Sequence, residues 1–281
     1  MTSVELGVGT VEYRDTGGDG PVMVLLHGLL MDASLWDAVV PLVVAGGFRV
    51  VAPTLPLGAH RHPVRADADL SLPGQAAIVG ELLERLDLTA VTLVGNDTGG
   101  AVAQLAAGHP RVGRLVLVSC EAFDNLPPGL TGRAVALLGR LPAGLFRAFM
   151  QQMRLRPVRR LPIAFGWLTR RGDRVTRGWM EPLLSTPGIA ADTVRVLRSI
   201  FRDRSVLVRA ASELRSYERP ALVVWAARDR VMPPEHGRRL AELLPQGRLV
   251  EVDDTDTLIP LDQPGRLAEL LLTMLPSART R

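Results

Sequence analysis

The segment 95–99, Gly-Asn-Asp-Thr-Gly, places an acidic side chain between two closely spaced glycines. An apolar run at 90–94 precedes it and an alanine-rich run at 101–107 follows, which predicts a strand, a sharp turn and a helix. The residue at the apex of such a turn has a strained backbone, and only glycine beside it lets strand and helix pass closely. The apex residue is Asp97, which cannot be a serine-type acyl nucleophile, so the pattern argues against ordinary esterase chemistry.

The predicted surroundings of Asp97 favour its charged form. It lies at the N-terminus of a predicted helix, whose dipole and free N–H groups stabilise a carboxylate. The backbone N–H groups of Thr98 and of Leu29, which follows a His-Gly pair at 27–28, are expected to form an oxyanion hole. A carboxylate beside two convergent donors could enolise a carbonyl compound, guide an addition or hold a substrate for ring closure. None of these reactions needs histidine.

Strands and helices alternate along most of the chain, which predicts an α/β fold with a mostly parallel eight-stranded sheet flanked by helices. Residues 2–14 alternate in hydrophobicity and predict an edge hairpin that turns at Gly17-Gly18. The other strands are predicted at 22–26, 49–52, 90–94, 115–119, 221–225 and 248–252. Helices are predicted near 36–44, 72–86, 101–107, 235–244 and 264–275.

A long insertion, 122–216, separates the predicted core segments 1–121 and 217–281, and we call it the cap. Helices are predicted in it at 133–141, 143–153, 194–201 and 206–214, with apolar faces that pack on the core or line a pocket. It carries 17 arginines against six acidic residues. We interpret this charge as a solvated lid over an acidic core; attraction of an anionic substrate or phosphate surface is the alternative.

Composition indicates a globular protein, with 47% hydrophobic and 22% charged residues. All 33 basic residues are arginine, which is typical of high-GC codon usage and suggests a bacterial source. The single cysteine, Cys120, rules out an internal disulfide and a cysteine-based metal cluster. Without a visible secretory signal or membrane span, we expect a cytoplasmic protein that takes a small-molecule substrate and needs no metal or other cofactor. Neither nucleic acid nor a membrane is an expected partner, and the oligomeric state stays open.

Four features in order resemble the α/β-hydrolase superfamily: the His-Gly pair at 27–28, the nucleophile elbow at 95–99, a strand ending shortly before Asp229, and the C-terminal segment 258–264. An aspartate at the elbow is similar to the haloalkane dehalogenase and epoxide hydrolase branch. In that branch the carboxylate attacks carbon to form an alkyl ester, and a histidine-activated water hydrolyses the ester. The acid that the family carries after its seventh strand matches Asp229.

The resemblance does not extend to the general base, the residue that activates water in this family. In the family, the catalytic histidine stands seven residues before the proline of the closing Gln-Pro pair, and here that position is Thr257. Two other departures concern dehalogenase and epoxide hydrolase chemistry. Thr98 follows the elbow aspartate where dehalogenases carry tryptophan, and the only tyrosines are Tyr13 and Tyr217, whereas epoxide hydrolases use two cap tyrosines.

Two histidines could substitute as the base, because the loop carrying His60 and His62 follows a strand predicted two places from the elbow strand. Glu121 follows the sixth strand, at the alternative acid position that some dehalogenases use. Trp36 and Thr257 are the remaining candidates for contact with a substrate or for the base.

Three functional interpretations follow. The first is a non-hydrolytic enzyme, of the kind expected in bacterial specialised metabolism, that performs an addition, coupling, cyclisation or elimination on an apolar molecule with Asp97 as base or anchor. The second is a hydrolase that forms an Asp97 ester and recruits a substitute base. The third is a ligand-binding protein without catalysis.

Overall fold

A computed structural model of the protein describes residues 2–275. Within this range, eight strands form one sheet. The strands are β1 (Thr2–Leu6), β2 (Gly9–Asp15), β3 (Val22–Leu26), β4 (Arg49–Pro53), β5 (Val91–Asn96), β6 (Val112–Val118), β7 (Ala221–Ala226) and β8 (Gly247–Val252). Their order across the sheet is β1-β2-β4-β3-β5-β6-β7-β8. β2 pairs antiparallel with β1 and β4, and the pairs from β4 to β8 are parallel, so the predicted fold class is confirmed.

The edge hairpin turns earlier than the sequence predicted. Leu6 pairs with Gly9, so the turn is made by Gly7 and Val8. Gly17 and Gly18, both with positive φ, lie in the loop that leads from the hairpin to β3. The prediction of the turn at Gly17-Gly18 was wrong because the chain also carries glycines at 7 and 9, and glycine permits a sharp turn at either site. Only the register of the paired strands distinguishes the two sites.

Helices cover both the core and the cap. In chain order they are α1 (Val40–Ala45), α2 (Leu72–Arg85), α3 (Thr98–Ala106), α4 (Gly129–Leu138), α5 (Ala143–Met150), α6 (Arg156–Arg159), α7 (Asp173–Ser185), α8 (Pro187–Ile200), α9 (Val206–Leu214), α10 (Pro234–Leu243), α11 (Ile259–Asp262) and α12 (Pro264–Leu272). Short 3₁₀ helices span Ala33–Trp36 and Gln151–Arg154. Among the described residues, no helix has both the length and the apolar character of a membrane span.

The cap segment contains α4 to α9, between β6 and β7. Its division from the core at residues 122 and 216 stays a prediction. α7 was not predicted, because Gly178 and Pro182 interrupt the pattern and arginines occupy much of the segment. The helix forms because one face buries Trp179 and Leu183 against the rest of the protein, and packing of an apolar face outweighs weak helix propensity.

The C-terminal ends of the parallel strands bring the candidate residues to one edge of the sheet. Leu29 follows β3, Asp97 follows β5, Glu121 follows β6 and Asp229 follows β7. β5 and β7 are buried along their whole length, as a sheet covered on both faces requires. Ligands of open α/β sheets bind outside the carboxyl ends of the strands, so this edge is the candidate site.

Candidate active site

The turn between β5 and α3 holds Asp97 in a strained conformation, with φ 55° and ψ −134°. The neighbouring glycines are required by close approach. A Cβ atom on Gly95 would meet the backbone of Gly99, and one on Gly99 would meet the carbonyl oxygens of Leu26 and His27. The strain therefore persists because the surrounding backbone fixes the turn.

The carboxylate of Asp97 accepts hydrogen bonds from the two backbone N–H groups that were expected to form an oxyanion hole. Its Oδ1 accepts hydrogen bonds from Leu29 N at 3.1 Å and from Thr98 N at 2.8 Å, and Thr98 Oγ1 lies 3.2 Å away. Among the described residues, no hydrogen bond reaches Oδ2. These three residues were predicted to lie near one another, as they do in the structure. The sequence could not show that the N–H groups of Leu29 and Thr98 donate to Asp97 itself. Oδ2 is consequently the oxygen available for chemistry.

Burial governs the charge of Asp97. Removal from water raises the pKa of its carboxyl above the ordinary value of 3.8, and the N–H groups of Thr98 and Leu29 partly offset this effect. A carboxylate with a raised pKa is a stronger base than one in water.

Glu121 lies beside Asp97 and is almost completely buried. Its Oε1 is 2.8 Å from Thr98 Oγ1, and its backbone carbonyl accepts a hydrogen bond from Gln104 Nε2 at 2.7 Å. Burial, followed by the neighbouring charge of Asp97, raises the pKa of Glu121 well above its usual value. Glu121 was predicted as an alternative acid, but its link to Asp97 through Thr98 was missed. The sequence does not show in which direction a threonine hydroxyl points.

Asp229 and Thr257 are in direct contact. Thr257 Oγ1 donates to Asp229 Oδ1 at 2.8 Å, and that oxygen also accepts from Val231 N at 2.9 Å and Met232 N at 2.8 Å. Asp229 Oδ2 is buried and has no hydrogen-bond partner among the described residues. Burial raises the pKa of Asp229 to about 6.

Replacement of Asp229 by asparagine is expected to stabilise the protein in a pH-dependent way. Because the folded state binds the Asp229 proton more tightly than the unfolded state, wild-type stability falls between about pH 4 and about pH 6 and then stays level. The amide oxygen of the introduced asparagine can keep the three donors that bind Oδ1, without the buried charge. The advantage of Asp229→Asn in unfolding free energy should therefore grow across that window to at most about 3 kcal/mol. Urea unfolding at several pH values measures it. Asp254→Asn, at an exposed position, is the control, and an advantage independent of pH would contradict the prediction.

Asn96 fixes the backbone next to Thr257. Its Nδ2 donates to the carbonyl oxygen of Thr257 at 2.9 Å and to that of Val118, also at 2.9 Å. The loop after β8 is therefore tied to the ends of β5 and β6 through main-chain atoms, independently of the side chain at 257.

A cavity of about 50 Å³ lies against Asp97, between the core and the cap. Three polar side chains line it beside one another: Asp97, Thr98 and Glu121. The cap also contributes Thr131, whose hydroxyl donates to the Pro162 carbonyl oxygen. The rest of the described lining is formed by Leu29, Leu30, Pro128, Gly132, Val135, Ala164, Phe165, Leu168, Phe201 and Val231. The cavity is thus an apolar chamber with carboxyl groups at one end.

The other candidate residues lie outside this lining. His60 is buried, with Nε2 3.6 Å from Asp192 of α8, and His62 is half-exposed, 3.5 Å from Glu12. Trp36 is fully buried, and neither Asp229 nor Thr257 lines the cavity. The direction of His60 could not be read from the sequence, because its partner is more than a hundred residues away.

Every histidine of the chain lies within residues 2–275, and none bonds to Asp97. His27 accepts a hydrogen bond from Leu55 N at 2.9 Å, and its other ring nitrogen lies 2.8 Å from the Gly28 carbonyl oxygen. His109 is 3.5 Å from Glu84, and His236 is 3.7 Å from Asp124. Among the described residues, no group of three His, Cys, Asp or Glu side chains is placed to hold a metal ion.

A family profile described as the alpha/beta hydrolase fold matches residues 21–264, and the chain belongs to this family. An uncharacterised protein of Mycobacterium tuberculosis is 30% identical over 268 residues, covering 90% of this chain and 75% of that protein. A pimeloyl-[acyl-carrier protein] methyl ester esterase of Aeromonas hydrophila is 28% identical, with 90% and 95% coverage. The crystal structure of an inferred ancestral haloalkane dehalogenase has a TM-score of 0.77 at 23% identity and covers 97% of each chain, which supports the fold alone.

Proposed function

We propose that this protein is a non-hydrolytic enzyme in which Asp97 removes a proton from an apolar small molecule. Loss of that proton then leads to addition, coupling, cyclisation or elimination. The observation that supports this proposal most directly is the asymmetry of the Asp97 carboxylate. Two backbone N–H groups donate to Oδ1, and Oδ2 has no hydrogen-bond partner among the described residues. Such a carboxylate is fixed in direction and desolvated, as a general base needs to be.

The second support is the absence of an imidazole where hydrolysis would need one. The Thr257 hydroxyl donates to Asp229, and both side chains are outside the described cavity lining. We interpret Thr257 as the residue that replaces the family's catalytic histidine. A threonine hydroxyl bound in this way does not take a proton from water at neutral pH.

The cavity favours a neutral substrate. Among its described lining residues, the ionisable groups are Asp97 and Glu121, and no arginine is present despite the many arginines of the cap. An anionic ligand would meet the Asp97 charge without a cation to balance it. A neutral apolar molecule with an acidic C–H bond fits this chemistry.

A nitrobenzisoxazole tests the proposal because it is neutral and apolar. Removal of its ring C–H proton breaks the N–O bond and gives a coloured phenolate, without addition of water. The wild-type protein should open this ring faster than acetate at an equal concentration, and the rate should fall as the pH drops through the raised pKa of Asp97. A rate no higher than that of acetate would contradict the proposal.

The position of Oδ1 also favours a second candidate function, in which Asp97 acts as a nucleophile. If Asp97 attacks carbon through Oδ2, displacing a halide ion or opening an epoxide C–O bond, the carbonyl oxygen of the resulting ester already lies between the Leu29 and Thr98 N–H groups. Without a base for water, the ester would accumulate. Intact-protein mass spectrometry after incubation with haloalkanes and epoxides would then show an adduct in the wild type that is missing from Asp97→Asn. Thr257→His should release the adduct, since its ring could reach Asp229.

A further inference from the structure

The hydroxyl of Thr98 lies between two carboxyl groups. Its Oγ1 is 2.8 Å from Glu121 Oε1 and 3.2 Å from Asp97 Oδ1. A threonine hydroxyl has one hydrogen, so it can donate to one of these oxygens and not to both. If both carboxyls were ionised, one of the two short oxygen–oxygen contacts would have no hydrogen between its atoms. A proton on one carboxyl removes this conflict.

Glu121 is the better holder of that proton. Its Oε2 is buried and has no hydrogen-bond partner among the described residues, so an ionised Glu121 would leave an uncompensated charge. Asp97 Oδ1, by contrast, accepts from Leu29 N and from Thr98 N, which stabilise an anion. The two carboxyls are therefore held in environments that favour opposite protonation states.

The neighbouring titratable groups do not change this assignment. Cys120 is buried, and burial raises the pKa of its thiol well above the usual value, so it stays neutral. Asp229 follows the next strand, and its Oδ1 is occupied by Val231, Met232 and Thr257. From the cap, the residues that line the cavity within the described chain are uncharged.

We infer that Asp97 and Glu121 share one proton, that Glu121 holds it, and that Thr98 links them by accepting from Glu121 and donating to Asp97. This inference rests on the proposed role of Asp97 as a base and adds Glu121 as a positioning residue. Oδ1 of Asp97 then has three donors, which leaves Oδ2 to take the proton of the substrate. Glu121, being neutral, does not compete as a base and keeps the cavity at a single negative charge.

Infrared spectroscopy tests the proton without any catalytic activity. Above neutral pH, where Asp229 has ionised, the wild type should show the carbonyl band of a buried carboxylic acid, and Glu121→Gln should lose it. Asp97→Asn should keep the band but lose it at a lower pH than the wild type, because the Asp97 charge no longer opposes ionisation of Glu121. Labelling glutamate with ¹³C should shift the band, which identifies it even if Glu121→Gln fails to fold. No band in the wild type, or a band lost at every pH with Asp97→Asn, would overturn the inference.

The Thr98 link has its own readout, the pH dependence of nitrobenzisoxazole opening. Thr98→Val keeps the backbone N–H but removes the third donor to Asp97, so the pH at which activity is half lost on the acid side should rise by about one unit. Thr98→Ser should return it to the wild-type position, which a purely structural defect would not do. An unmoved midpoint in Thr98→Val would overturn the link. If the wild type does not open the probe at all, the proposed function fails while the infrared result still decides the protonation of Glu121.

Discussion

Asp97→Asn is expected to lower the rate of nitrobenzisoxazole opening by about 10² to 10⁴. The amide oxygen of the introduced asparagine can still accept from Leu29 N and Thr98 N, but the amide nitrogen in place of Oδ2 cannot take a proton. Folding should survive, because the substitution removes a buried charge and keeps the hydrogen bonds. The rate is measured by the absorbance of the phenolate, and thermal unfolding is measured on the same samples.

The matched control for this substitution is Asp87→Asn, which changes an aspartate whose side chain is 89% exposed and pairs with Arg111 at the surface. It should leave the rate unchanged. If Asp97→Asn keeps more than about a tenth of the wild-type rate, general-base catalysis by this residue is contradicted. If the wild type and Asp97→Asn both bind the nitrobenzisoxazole tightly and neither opens its ring, the ligand-binding interpretation would be favoured.

Gly28→Ala is expected to reduce the same rate by on the order of 10², although the substitution replaces no charged residue. A Cβ atom on Gly28 would collide with Asp97 Oδ1 and would lie 2.7 Å from its Cγ atom. The carboxylate must therefore leave the Leu29 and Thr98 donors, and a displacement of about 1 Å is enough to cost this factor. Steady-state kinetics with the benzisoxazole probe measures the loss.

Gly178→Ala is the control for the added methyl group, because a Cβ atom at this position of α7 meets nothing within 4 Å. It should keep the wild-type rate and stabilise the protein by about 1 kcal/mol, since alanine favours a helix over glycine. A wild-type rate in Gly28→Ala would show that the position of Asp97 against the two N–H groups does not matter for catalysis.

Local sequence patterns predicted the sheet well because they report burial directly. The run at 90–94 and the glycines at 95 and 99 placed the β5–α3 turn, and the structure has a strand ending at Asn96 and a helix starting at Thr98. The pattern was weaker in the cap. α8 begins at Pro187, whereas the prediction began at 194, because its first turn contains proline and glycine.

The sequence predicted which of these candidate residues lie together, but it did not predict their contacts. Asp97, Thr98 and Leu29 could be placed together because each follows a strand or opens a helix at the same edge of the sheet. The hydrogen bonds that give these residues their properties depend on side-chain rotamers and on partners far along the chain. Glu121 beside Thr98 and His60 beside Asp192 are both of this kind.

The side chain at 257 is buried, but a main-chain hydrogen bond fixes the loop there without it. Asn96 holds the main chain there through the Thr257 carbonyl oxygen, so a new side chain does not need to preserve the course of the loop. A library at 257 could therefore introduce imidazole, amide or thiol groups near Asp229 while the Asp97 turn stays in place. Under the proposed function, directed evolution from this one codon would test whether the scaffold can be converted to a reaction that consumes water.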